Sequence, residues 1–104
     1  MKVITPILSC GLLTLGLAGT ASADNVSLDP LADSVLAGGC AGCHGTAGAL
    51  EGLVPAIAGR PADELETLLL QFKNEDAQAT VMNRIAAGYT DDELARLAVY
   101  FSAQ

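Results

Sequence analysis

An all-α fold of about four short helices is what this 104-residue sequence predicts, on three observations. Apolar residues recur at three- and four-residue spacing in Leu65, Leu68, Leu69 and Phe72, and again in Leu94, Leu97, Ala98 and Phe101. Helix start signals, Asp29-Pro30 and Thr90-Asp91-Asp92-Glu93, stand ahead of apolar runs. No segment alternates every second residue as a half-buried strand would.

Residues 1–23 read as an export signal and 24–104 as one mature domain. Lys2 gives the basic start, leucines at 8, 12, 13, 15 and 17 the apolar stretch, and Ala21-Ser22-Ala23 the small-residue cleavage site before Asp24. The apolar run is short, contains Pro6 and lacks a following basic stop, so a membrane span is disfavoured and no membrane association is expected after cleavage. Cys10 lies inside this segment and leaves with it. The 81 residues that remain are few for a self-sufficient hydrophobic core, and something else should help hold them. Four basic residues (Arg60, Lys73, Arg84, Arg96) stand against twelve acidic ones, a formal charge of −8. Such a balance argues against nucleic acid and anionic membrane as partners.

In the mature segment Asp29 can cap a first helix with Pro30 at its first position, Leu31, Val35 and Leu36 supply its apolar side, and Gly38-Gly39 should loosen it. Glycines, Pro55 and the lack of periodicity make 45–59 a loop, long enough in so small a domain to suggest that it wraps something. A second helix should run from near Pro61 to about Asn74, with Asp63 and Glu64 in its first turn. Thr80–Ala87 suits a short third helix, with Gly88 in the left-handed position after it. The fourth opens on the capping box at Thr90, where Tyr89 is placed to staple onto Leu94.

Chemistry concentrates in Gly38–Thr46, GGCAGCHGT, which holds both cysteines of the mature chain and the single histidine. A thioredoxin-like thiol pair would follow a strand in a βαβ setting that this chain lacks. A zinc site wants four ligands, and Cys40, Cys43 and His44 exhaust the usual soft set. A disulfide permitted by export would close too small a loop to stabilise much. None of these accounts for the histidine. Covalent haem attachment does: positions i, i+3 and i+4 share a helix face, so both thiols can add to the vinyl groups of one porphyrin edge while His44 provides the fifth iron ligand. A six-coordinate electron-transfer haem takes Met or a second His as its sixth ligand, and Met82 is the methionine left once Met1 departs. With both axial positions filled, a low-polarity wall of Leu53, Ile57, Leu65, Leu69, Val81 and Ile85 would favour ferrous iron.

Cys40-Ala-Gly-Cys43-His44-Gly45, Pro55-Ala-Ile57-Ala-Gly59 and the segment from Thr80 through Met82, Gly88 and Tyr89 to Glu93 resemble the class I c-type cytochromes across essentially the whole mature chain. The Met82 segment and the ending Ala98-Val-Tyr100-Phe101 look most like the cytochrome subunits of flavocytochrome c sulfide dehydrogenases. The resemblance implies the class I fold around one covalently bound haem c, a periplasmic location, and electron transfer from an FAD-containing, sulfide-oxidising flavoprotein subunit to other cytochromes or a terminal acceptor. Catalysis would then reside in the partner. A free soluble shuttle to an oxidase or photosynthetic reaction centre is the alternative, and a peroxidase-like haem enzyme would need an open iron position.

The family usually carries Gly-Pro ahead of its Pro-x-Ile/Leu-Ala-Gly segment, with the carbonyl of that first proline accepting a hydrogen bond from the ligating imidazole. Here Gly52 is followed by Leu53, which leaves the carbonyls of Leu53 and Pro55 as the acceptors to choose between. Tyr89 is open between a haem propionate and the staple role, and Arg84 between a propionate and solvent.

Overall fold

A computed structural model describes residues 29–104; the expected export signal, its cleavage site and Cys10 lie outside the described residues. Four helices, α1 (Pro30–His44), α2 (Ala62–Lys73), α3 (Met82–Ala86) and α4 (Asp91–Ser102), follow one another with no strand among the described residues. None is long and apolar enough to cross a membrane.

Asp29 caps α1 through its carboxylate, which accepts from the backbone N–H groups of Leu31 at 3.0 Å and Ala32 at 3.4 Å, and Pro30 takes the first helical position. The helix then runs unbroken through Gly38 and Gly39, contrary to the expected loosening there. Its buried face is also not the expected one. Asp33, Ala37, Cys40 and His44 turn inward at spacings of four, three and four, while Leu31 and Val35 are each 72% exposed and Leu36 is half-buried. The register is set by the cysteine-histidine turn: once Cys40 and His44 face inward, the three- and four-residue rows through them select Ala37 and Asp33 and leave Leu31 and Val35 outside.

Asp33 is buried because it has a partner far along the chain. Arg96 Nε donates to its Oδ1 at 2.7 Å and a second guanidinium nitrogen bonds the same oxygen, joining α1 to α4. α4 matches its expected form. Thr90 Oγ1 accepts from Glu93 N–H at 3.2 Å, Glu93 Oε2 accepts from Thr90 N–H at 2.8 Å, and Leu94, Leu97, Ala98 and Phe101 are buried. α2 packs against α4 and α3 with Leu65 at the centre, and Lys73 Nζ reaches Asp91 Oδ1 at 2.6 Å where the two helices meet.

After α1 the loop folds back on itself. Gly45, at φ 86°, turns the chain, Gly48 accepts from Ile57 and Ala58 N–H at 2.7 and 3.0 Å, and Gly59 N–H donates to Phe101 O at 2.9 Å. Gly48 must be glycine: its φ is 74°, and a Cβ there would fall 2.7 Å from both Ile57 and Phe101. α3 is shorter than the expected Thr80–Ala87, and Gly88 is not left-handed. The chain instead leaves α3 in a right-handed turn, with Ala87 at φ −62°, Gly88 N–H on Ile85 O and Tyr89 N–H on Ala86 O. The left-handed exit occurs after α2, at the non-glycine Glu75, φ 62°.

These features set three expected outcomes. Arg96→Met should cost about 2–3 kcal/mol in denaturant unfolding, because it strands the buried Asp33 carboxylate while its own quarter-exposed position softens the penalty. Glu75→Gly should stabilise by about 0.5–1 kcal/mol by relieving the left-handed backbone. Glu93 is held below the ordinary carboxylate range chiefly by the Thr90 backbone N–H. Its contribution is therefore complete above the unfolded value and fades as pH falls through the lowered folded one, so Glu93→Ala should melt below the parent at pH 7 and converge with it in acid.

Candidate functional site

The last turn of α1 carries Cys40, Cys43 and His44, and the hydrogen bonds that close it also aim the histidine. Leu50 N–H donates to His44 O at 2.9 Å, which brings the loop back beneath the turn. His44, 6% exposed, then donates from Nδ1 to the backbone carbonyl of Pro55 at 2.7 Å. Since a carbonyl only accepts, the ring proton belongs on Nδ1 and Nε2 keeps its lone pair. Of the two acceptors left open by the sequence the structure selects Pro55; Leu53 is fully exposed at the rim.

Cys40, Cys43, His44 and Met82 all line one cavity of about 380 Å³. Cys40 is buried and Cys43 exposed, both as free thiols. Burial pushes the Cys40 thiol up, partly offset by a hydrogen bond from Tyr89. Met82 opens α3, whose first turn is held by Arg84 and Ile85 N–H groups on Val81 O at 3.0 and 3.2 Å. The expected apolar wall is in place: Leu53, Ile57, Leu65, Leu69, Val81 and Ile85 all face the cavity, joined by Phe72 of α2 and Phe101 of α4.

The structure decides between the alternatives that the sequence left open for two polar groups. Arg84 is exposed and lies off the cavity wall, and Arg60, counted in the sequence only as a charge, lines it. Arg60 follows the left-handed Gly59 that ends the wrapping loop, and it pairs with Glu64 one turn along. The one sequence cue to its location was its place directly after Pro55–Gly59. Tyr89 is off the wall as well. Its hydroxyl lies over Gly39 and against Cys40, and its phenol is raised by burial first and by the Cys40 side chain second. The sequence offered no cue for this contact, since fifty residues separate the partners.

The donor set decides what the cavity suits. Among the described residues, no three His, Cys, Asp or Glu side chains converge as a metal-binding group, so the cysteines and histidine do not form a zinc-like cluster. Two thiols on one helical turn, an imidazole with Nε2 available, a soft thioether, apolar walls and one cation instead match a haem. Cys40 and Cys43 would meet its edge, His44 and Met82 its iron, and Arg60 its carboxylates.

No family model matches the chain. It is 40% identical over 89 residues, covering 83% of this chain and 81% of the relative, to the cytochrome subunit of sulfide dehydrogenase of Chlorobaculum tepidum. It is 32% identical over 71 residues to cytochrome c-554(548) of Halomonas halodenitrificans, covering 64% of this chain and 86% of that one. The four-helix architecture and these likenesses together place the chain among the class I c-type cytochromes, haem proteins of electron transfer, and within them it resembles the sulfide dehydrogenase subunit.

Proposed function

We propose that this chain holds one covalently attached haem c, through Cys40 and Cys43 with His44 and Met82 as axial ligands, and works in the periplasm as the electron-accepting subunit of a flavoprotein sulfide dehydrogenase. The observation that carries the ligand assignment is the Nδ1 bond from His44 to Pro55, which commits the imidazole to one tautomer inside a cavity that Met82 also lines. When bound, haem supplies a one-electron couple between ferric and ferrous iron.

Each part of the chain has a share in that work. The helical spacing of Cys40 and Cys43 sets two anchors on one face. The Pro55 carbonyl orients His44 and raises its basicity as a ligand. Met82 would hold the iron through its sulfur, which would keep substrates away from the metal. The wall from Ile57 to Ile85 excludes water, which disfavours excess positive charge. Export is supported by the Ala21-Ser22-Ala23 pattern in the sequence, and the flavoprotein partner by the likeness to a sulfide dehydrogenase subunit.

Two outcomes are expected. Co-expressed with a flavoprotein subunit of a sulfide dehydrogenase, the chain should purify with a flavin subunit and be reduced by sulfide. Purification alone, with no sulfide-dependent reduction, would favour a free shuttle to another acceptor. Ferrous Met82→Ala should bind carbon monoxide readily at neutral pH while the parent does not; ready binding by the parent would remove Met82 as a ligand and favour a peroxidase-like role.

A further inference from the structure

Tyr89 belongs to two elements at once. Its backbone closes the turn after α3, with its N–H on Ala86 O at 3.2 Å, and it immediately precedes the capping box of α4. Its side chain crosses to α1. The ring packs on the buried core, and the hydroxyl lies so close over Gly39 that a Cβ at that position would stand 2.2 Å from Oη but 3.6 Å from Cζ. The hydroxyl alone therefore demands glycine at 39, since the ring beneath it would leave room for a methyl group. Beyond Gly39 the hydroxyl faces the buried Cys40 side chain.

The element that Tyr89 ends needs such a tie. α3 has five residues, its N-cap Val81 offers no side-chain bond, and a helix this short has little stability of its own. Its first residue is Met82, whose distance from His44 depends on how α3 is held against α1. Contacts of α3 run mainly to α2, whereas α1 packs on α4. Tyr89 is thus a direct link from the chain segment bearing the sulfur to the turn bearing the cysteines and histidine.

We propose that Tyr89 is a positioning residue: seated on Gly39, it fixes α3 so that Met82 stays at the distance needed to compete for the haem iron. This rests on the haem reading above. Glycine at 39 is then explained by the phenol that occupies the space over its Cα.

The test uses the haem-loaded protein and imidazole as a competitor for the sixth position. Tyr89→Phe keeps the ring and removes the hydroxyl seated on Gly39, so ferric imidazole affinity should rise about three- to tenfold, with a weakened red-edge thioether-to-iron absorption. Thr90→Ala removes a helix cap next door without touching Gly39 or Cys40, and should leave imidazole affinity within about twofold of the parent. Gly39→Ala should disturb both stability and ligation, and Gly39→Ala with Tyr89→Phe should recover most of the loss, because the removed hydroxyl is what the added methyl strikes. Unchanged imidazole affinity in Tyr89→Phe, or an equal rise in Thr90→Ala, would overturn the positioning role while leaving the haem assignment intact. A double variant no better than Gly39→Ala alone would overturn the seat. A parent that forms no covalent haem would instead overturn the reading on which the proposal stands, even if unfolding measurements still showed residues 39 and 89 to be coupled.

Discussion

The hydrogen bond from His44 Nδ1 to the Pro55 carbonyl is the constraint around which the rest of this small domain is arranged. A histidine at the end of a helix would ordinarily rotate freely; here it is buried, and its ring is held by a carbonyl eleven residues on. To deliver that carbonyl the chain must leave α1 sharply at Gly45, double back under Leu50 and pack Gly48 against Ile57 and Phe101. The loop is thus a structural element in its own right, and at Gly45 and Gly48 a side chain would press on Leu50 or on Ile57 and Phe101.

The same constraint explains an economical core. Among the described residues the large side chains that are fully buried, Phe101, Leu94 and Leu97, all come from α4, and Leu97 and Phe101 also face the cavity. Other apolar groups, from Ile57 through Leu69 to Ile85, are directed at the same space. A domain as short as residues 29–104 gains limited stability from its own apolar surface, and much of its apolar side-chain area faces the cavity. The buried Asp33–Arg96 pair works on the far side of α1, fixing the helix whose last turn carries the site.

How much of this was legible beforehand follows from the range of each interaction. The capping box at Thr90, the start at Asp29-Pro30, the stripe of α4 and the apolar wall were readable because each depends on neighbours within a few residues or on composition. The inward face of α1 was misread because Leu31 and Val35 are its most apolar residues, while its orientation is decided by Cys40, His44 and an ion pair spanning 63 positions. Gly38-Gly39 looked like a weak point, yet the helix runs through both and Tyr89 lies over Gly39. The choice of Pro55 over Leu53, and of Arg60 over Arg84 on the wall, depended on the path of a loop whose sequence carries no periodicity.

A scaffold that spends its loop, its short third helix and most of its apolar residues on one cavity makes sense when a permanent occupant completes it. The most direct measurement is the intact mass of the protein under denaturing conditions, after expression with export and haem-attachment machinery, followed by mapping of the fragment containing residues 40–44. The account predicts the mass of the processed chain plus one haem, retained on that fragment. A bare chain, or one whose two cysteines are joined only to each other, would contradict it.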